Sequence, residues 1–395
     1  MKPSILFVTN SSNWPLTDGK RQRTWFLIEA LTKKYFVDIL LIGYATDKKH
    51  VEGSTSTIRS LFFVDVADFE TSKINYPIFL LSRGQRIQRQ KFKRKVDLFF
   101  LDLINGNSYD FLFSRYLDPL FYFSLPEAIK VVCDVDDVYF EKMKSRIKNE
   151  TNFKRKIQLH ILFYFEKQKI KKLLQRIDIP IIVKASDTLF FGLQDAFCLP
   201  NLPFGYFINK KTQVDSIETT ENPPLTFGFI GKLSYKPNYQ GLIDFIQQVW
   251  HPLIKDNFQA RLLIAGSGVV PESLRILISN SKNIHLLGFV SNSEQFWDAT
   301  SVLVVPVAEG AGSNIKIAEA LIQGKSVIAH PFASRGYEKF IHSGYLSLPQ
   351  NSSEWIKVLS SVVVSTPEEK QVLIQKAKNH FDLDDWNSTL IEILA

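Results

Sequence analysis

Short apolar, β-branched runs recur along this chain with helical stretches between them, and that alternation constrains the fold more than any other feature. Strands are expected at 5–10, 37–43, 58–66, 110–115, 130–135, 179–184 and 197–200, with helices near 21–34, 85–104 and 153–176. The stretch 202–224 is polar and proline-bearing and reads as a linker. Beyond it the rhythm restarts, with strands at 225–231, 260–266, 284–290, 301–307, 326–330 and 345–348. Strands alternating with helices of these lengths give parallel sheets covered on both faces. At 395 residues the chain is too long for one ordinary core. The prediction is an α/β protein of two doubly wound, Rossmann-like domains facing across a cleft, residues 1–201 and 225–380, with 381–395 a closing helix. Ligands of such sheets bind beyond the carboxyl ends of the strands.

One strand end is especially informative. Residues 309–325 read EGAGSNIKIAEALIQGK and follow the expected strand 301–307. Gly310, Ala311 and Gly312 make a small-residue turn, Ser313 and Asn314 are N-cap candidates, and an amphipathic helix runs on to about Gly324. Backbone N–H groups and the helix dipole at such a place favour an anion. Lys316 adds a positive charge in the first turn, and Glu319 follows three residues later on nearly the same face. Amides and lysine suit phosphate; a carboxylate one turn deeper suits ribose hydroxyls.

Residues 227–246, FGFIGKLSYKPNYQGLIDFI, supply a second strand end. The strand closes at Gly231, and Lys232 and Lys236 flank a short loop before the next helix. With Lys316 they would put three cations around one point, able to stabilise charge on a departing diphosphate. The same two lysines also fit a solvated surface. The turn IAGSG at 264–268 reads as packing rather than phosphate contact.

In the first half, Asp18-Gly19 precedes a helix and offers a further cradle at Gly19. It is no G-x-G-x-x-G fingerprint, and no acidic residue closes the strand at Ile42-Gly43, which disfavours a dinucleotide-binding dehydrogenase. Residues 131–137, VVCDVDD, end a strand with Asp134, Asp136 and Asp137. Asp-x-Asp spacing can hold a divalent metal, but such carboxylates also cap helices and pair with basic neighbours. The preferred reading is without metal, one of these carboxylates serving as a polar group on the acceptor side. The histidines form no metal pattern, no G-x-S-x-G elbow occurs, and two cysteines, Cys133 and Cys198, make no disulfide framework.

Charge is unevenly spread. Residues 1–200 carry 32 Lys/Arg against 22 Asp/Glu, whereas 201–395 carry 16 against 18, so the first half is the one expected to meet an anionic partner. Its densest piece, Arg83 to Lys95, runs into VDLFFLDLI. That segment could lie on an anionic membrane, with Phe99, Phe100 and Leu101 dipping in; it also fits a solvated basic helix packing its apolar end into the core. No nucleic-acid module accompanies the charge. No apolar run reaches the roughly 18–20 residues of a membrane span, and the N-terminal apolar segment is too short for a signal peptide. The expected location is the cytoplasm, with peripheral contact at the inner face of the cytoplasmic membrane.

Together these segments resemble glycosyltransferase family 4, the group 1 glycosyltransferases with the two-domain GT-B fold. The stretch 227–246 is similar to the family's donor-diphosphate loop, with Gly231, Lys232 and Lys236 in place. GAGSNIKIAEALIQGKSVIA, at 310–329, is similar to its donor-site motif, in which Glu319 would hold the ribose. Gly19 corresponds to the N-terminal loop facing the donor phosphates, and CLPN at 198–201 to the segment before the linker. FDLDDWNSTLIEIL, at 381–394, resembles the helix that crosses back to the first domain. Two departures stand out. The family often has a paired Glu-x(7)-Glu, but position 311 is alanine, and backbone amides from Ala311 to Ser313 would serve instead. A cleft histidine is absent from the first domain, where the 134–137 segment stands in its place.

The resemblance implies a retaining glycosyltransferase moving a sugar from a nucleotide diphosphate donor to a hydroxyl acceptor, without cofactor or metal. A surface polysaccharide or lipid-linked glycan is the expected acceptor. Two alternatives remain: a GT-B-fold nucleotide-sugar epimerase, and a non-catalytic relative that binds a nucleotide sugar or a membrane.

Overall fold

The computed structural model describes residues 2–10, 19–52, 57–67, 81–136, 139–148, 150–185, 188, 192–193, 195–209, 225–290, 293–310 and 313–395. These form two compact units: Met1–Phe204 with Leu383–Ala395, and Gly205–Asp382.

The first unit holds strands β1 (Ser4–Thr9), β2 (Phe36–Gly43), β3 (Ser60–Asp65), β4 (Phe111–Arg115), β5 (Lys130–Val135), β6 (Ile179–Ile182) and β7 (Phe197–Cys198). They lie in one parallel sheet in the order β3-β2-β1-β4-β5-β6-β7. Its helices are α1 (Gly19–Lys34), α2 (Ala45–Glu52), α3 (Arg83–Gly106), α4 (Tyr139–Lys148), α5 (Phe153–Leu174) and the start of α6 (Phe204–Asn209). Every residue of β1 is buried, as a central parallel strand requires. Its Phe7 stacks on Phe113 of β4 at 5.2 Å. One core layer joins Val96 and Phe100 of α3 to Ile170 and Leu173 of α5. Phe100 is 0% exposed and Phe99 is half-buried against the same core, so of the three residues expected at a membrane only Leu101, at 38%, is fully on the surface. The helical period aims Phe100 at the sheet, which the run of apolar letters alone did not show.

The helix Leu383–Ile393 completes this unit. Its indole Trp386 donates to the carbonyl oxygen of Pro200 at 2.8 Å and meets Phe204 edge-on at 5.7 Å; Phe204 in turn stacks on Phe26 of α1 at 4.6 Å. The segment read as a linker from 202 therefore begins with a buried anchor, Leu202 and Phe204, and one helix. Residues 210–224 lie outside the described residues.

The second unit holds β8 (Thr226–Ile230), β9 (Arg261–Ala265), β10 (Ile284–Gly288), β11 (Val302–Val305), β12 (Ser326–Ala329) and β13 (Leu346–Ser347), again all parallel, in the order β10-β9-β8-β11-β12-β13. Its helices are α7 (Lys236–Phe245), α8 (His251–Lys255), α9 (Glu272–Ser279), α10 (Glu294–Ala299), α11 (Ile315–Ile322), α12 (Glu338–Ile341), α13 (Ser352–Ser360) and α14 (Pro367–His380). A π turn at Ile246–Trp250 joins α7 to α8. Strand β8 has β9 on one side and β11 on the other, so the connections leave it in opposite directions. The crevice beyond its carboxyl end is the topological switch point.

Candidate functional site

Three loops converge at that switch point. Gly231 N–H donates to the Ala265 carbonyl at 3.1 Å and Leu233 N–H to that of Ser267 at 2.7 Å, which ties the loop after β8 to the loop after β9. The contact is backbone on backbone: a Cβ on Gly266 would stand 1.7 Å from the Gly231 carbonyl oxygen. The 264–268 turn thus does pack, as its sequence suggests, and what it supports is the β8 loop. Gly266→Ala is expected to lower stability by about 1–3 kcal/mol, the usual cost of overpacking a tight contact. A denaturation midpoint unchanged from the parent would contradict that role.

The third loop leads from β11 into α11 and delivers Lys316. The Lys316 ammonium donates to Asn238 Oδ1 at 3.1 Å and lies 4.2 Å from the centre of the Phe229 ring. It also occupies the space where Gly231 has no side chain: a Cβ there would be 2.8 Å from Nζ. Asn238 is clamped in turn, its amide donating to the Lys232 carbonyl at 3.0 Å. Strand β8, its loop, the first turn of α7 and the first turn of α11 therefore meet on one amine.

Lys316 and Glu319 keep part of their surface exposed, yet dense packing governs their ionisation. Burial lowers the Lys316 pKa to about 7, against the smaller opposing influence of Glu319. Burial likewise raises Glu319 to about 7, with Lys316 opposing. The full positive charge expected of Lys316 is therefore incomplete at neutral pH without ligand; an arriving polyanion would draw the proton on. Among the described residues the Glu319 carboxylate makes no hydrogen bond or ion pair, so its oxygens are left to accept from a ligand. Burial, and then Glu319, raise the pKa of Tyr337.

The other expected residues fall as follows. Lys232 and Lys236 are exposed, and Lys236 opens α7 rather than preceding it, with Pro237 in its first turn. Asn314 is the N-cap residue of α11 but makes no side-chain cap; its amide donates to the Ala333 carbonyl at 3.2 Å, while Tyr337 Oη donates to the Asn314 carbonyl. Ser313 precedes it, and Gly310 approaches Tyr235 and Pro237 of the β8 side. Ala311, Gly312 and Asp137 lie outside the described residues, as does Asp18; Gly19 is the first residue of α1.

In the first unit, Asp134 is next to last in β5, with 0% exposure and both oxygens committed. Arg23 of α1 grips it in a two-pronged pair, Nε at 3.0 Å and Nη2 at 2.7 Å, and Arg115 of β4 adds Nη1 at 2.9 Å. Arg23 continues to the carbonyls of Leu199 and Pro200 and to Asn201 Oδ1. Asp136, 13% exposed, accepts from Arg115 at 2.6 Å and from Asn201 at 3.1 Å. Burial alone would raise the Asp136 pKa, but Arg115 and then Arg23 outweigh it and hold the carboxyl below its ordinary range. The adjoining Tyr116 adopts a left-handed backbone, φ 73, fixed by its N–H bonded to the Asp134 carbonyl at 3.0 Å. This arrangement makes Asp134 an internal counter-ion, whereas Asp136 keeps an open edge. Among the described residues no group of three or more His, Cys, Asp or Glu side chains could hold a metal ion.

Sequence reasoning missed Asn238, Phe229, Arg23 and Arg115. Asn238 carried no signal beyond a helix-start position, and Arg23 reads as one more base in GKRQR.

Two doubly wound parallel-sheet units in one chain match the GT-B fold. Solved structures agree across almost the whole chain. A sucrose-phosphate synthase from Thermosynechococcus elongatus aligns over 99% of this chain and 98% of its own at TM-score 0.65 and 12% identity. Anabaena HepE, solved with UDP and glucose, aligns over 99% of both chains at TM-score 0.61 and 16% identity. Likenesses at these identities speak for the fold. Residues 224–363 match the family described as "Glycosyl transferases group 1". A stretch of 114 residues is also 30% identical to an uncharacterized 44.6 kDa protein in the cps region of Klebsiella pneumoniae; the match spans 27% of this chain and only 29% of that protein.

Proposed function

We propose that this protein transfers a sugar from a nucleoside diphosphate donor to a hydroxyl of a glycan or lipid-linked acceptor, with retention of configuration and without a metal. The observation that carries the reading is Lys316, held by Asn238 and Phe229 at the carboxyl ends of β8 and β11 with Glu319 one turn further along α11. Lys316, with Lys232 and Lys236 from the loop after β8 and the start of α7, would face the diphosphate, and Glu319 would accept from the ribose hydroxyls. In the reaction the bond between the anomeric carbon and the diphosphate oxygen breaks. The acceptor oxygen bonds to the same face, and its proton passes to the departing diphosphate. The part asked of the protein is electrostatic: donors fixed where negative charge develops. Of the two described carboxylates near the end of β5, Asp136 keeps an open edge and is the one able to accept from an acceptor hydroxyl. The cps-region relative supports a surface polysaccharide as the product class.

The ionisation of the pair supplies a test. Lys316 at about 7 must gain its proton to meet a diphosphate, and Glu319 at about 7 must lose its own to accept from ribose. Affinity for UDP is therefore expected to be greatest near pH 7. At pH 8 and above, where UDP is fully ionised, binding takes up protons, read by calorimetry in buffers of different ionisation enthalpy. Proton release at pH 8, with UDP, ADP and GDP all tried, would count against this assignment. Product analysis with donor alone separates a transferase from an epimerase, which converts its donor with no acceptor present.

A further inference from the structure

The helix that best fits a membrane surface is α5, which the charge reading of the sequence passed over in favour of Arg83–Lys95. Helix α5 is 22 residues long, with Leu159, Leu162, Ile170 and Leu173 buried toward the sheet and α4. At helical spacing, its opposite side carries Phe153, Ile157 and Tyr164, which are 75%, 44% and 59% exposed. These are large apolar side chains on the solvent side of a helix whose core-facing side is already satisfied. Basic residues bracket them at 154–156 and 167–172, and the one carboxylate on the helix, Glu166, is turned inward at 3% exposure. Outward-facing α5 therefore presents cations and rings with no acidic side chain of its own.

The neighbouring helix extends this field. Arg89 and Lys93 of α3 lie close enough to Lys169 of α5 to lower its pKa, after burial, while Glu166, and Asp97 at Lys93, oppose this; cations of both helices thus gather at the seam between them. Apolar residues flanked by lysine and arginine on a helix with a satisfied inner face match the layering of a bilayer interface, rings below and cations at the headgroups. No described helix is long and apolar enough to cross a membrane, so the contact in question is one of surface docking.

We propose that the outward face of α5, extended across the seam to α3, docks on an anionic phospholipid bilayer, with Phe153, Ile157 and Tyr164 entering the interface. This does not rest on the transferase reading, because it uses no residue of the β8–β11 site. The test is flotation of the full chain with vesicles of phosphatidylcholine alone and of phosphatidylcholine mixed equally with phosphatidylglycerol. Binding is expected to the mixed vesicles only, and to fall with added salt. The Phe153→Ser/Tyr164→Ser pair and the Lys167→Glu/Lys171→Glu pair should each lower partitioning about tenfold or more, since one lysine at such a surface contributes on the order of 1 kcal/mol. Lys282→Glu/Lys357→Glu, which changes net charge equally in the second unit, should leave it within about twofold. Thermal melting and far-UV circular dichroism of each variant report folding. No flotation with the mixed vesicles overturns the proposal. Equal loss in the second-unit control, or retained binding in both α5 pairs, does so as well, the first by revealing non-specific attraction of a basic protein and the second by placing the contact elsewhere.

Discussion

Lys316→Ala is expected to reduce sugar transfer, as kcat/KM for the donor, by about a hundred- to a thousandfold, the range found when one fixed donor to a developing anion is removed. The size follows from how the amine is held. It is bonded to Asn238, seated over Phe229, and given room by Gly231, so its position is set before any ligand arrives. Alanine leaves a gap at the meeting point of β8 and α11 that water fills without a fixed charge. Asn238→Ala should produce a smaller loss in the same direction, because it frees the amine without deleting it. Glu319→Gln should instead weaken UDP binding with less effect on the bound-state rate, since ribose contacts hold donor and transition state alike. The readout is initial rate at subsaturating donor, beside UDP affinity and thermal melting. Full activity in both Lys316→Ala and Glu319→Ala would remove the β8–β11 crevice from consideration as the donor site.

Asp134→Ala is expected to destabilise the first unit by about 3–5 kcal/mol, read as a lower denaturation midpoint, because it strands buried arginines without their shared counter-ion. Arg23 and Arg115 are both 0% exposed and converge on this one carboxylate. Asp134→Asn keeps the shape and part of the hydrogen bonding, so its loss should be smaller. A Arg23→Met/Asp134→Leu pair should recover stability relative to Asp134→Ala, since replacing a buried pair costs less than breaking one. If Asp134→Ala melts like the parent yet loses transfer, the residue belongs to the chemistry instead. Asp136 adds a pH dependence. Its folded carboxyl holds its proton less tightly than in the unfolded chain. Its contribution is thus fully present above about pH 4 and is lost as pH falls toward the depressed folded value.

The layout of both sheets was legible because a buried parallel strand must be apolar throughout and a helix must repeat near 3.6 residues. Each expected strand lies within a few residues of an observed one, down to the two-residue β7 and β13. The anion-site motif was legible for a related reason: Gly310, Lys316 and Glu319 are neighbours in sequence, and a strand-turn-helix fixes their relative placement. Asn238 was not, because its partner is 78 positions away. Nor was the fate of Asp134, whose partners Arg23 and Arg115 come from two other elements. In the sequence, an aspartate at a strand end reads the same whether it faces a ligand or two arginines.

The sequence alone therefore determined the class of fold, the strand ends where chemistry gathers, and the basic character of the first half. Those are local properties: apolar period, turn residues and charge count need no distant partner to be expressed. Only the tertiary structure decided which charges are available. It buried Arg23, Arg115 and Asp134 together, pressed Lys316 into surroundings that hold its pKa near 7, and turned Phe100 inward while leaving Phe153 and Tyr164 outside. The free energy of a charge or a ring depends on what surrounds it, and those surroundings are assembled from residues far apart in the chain.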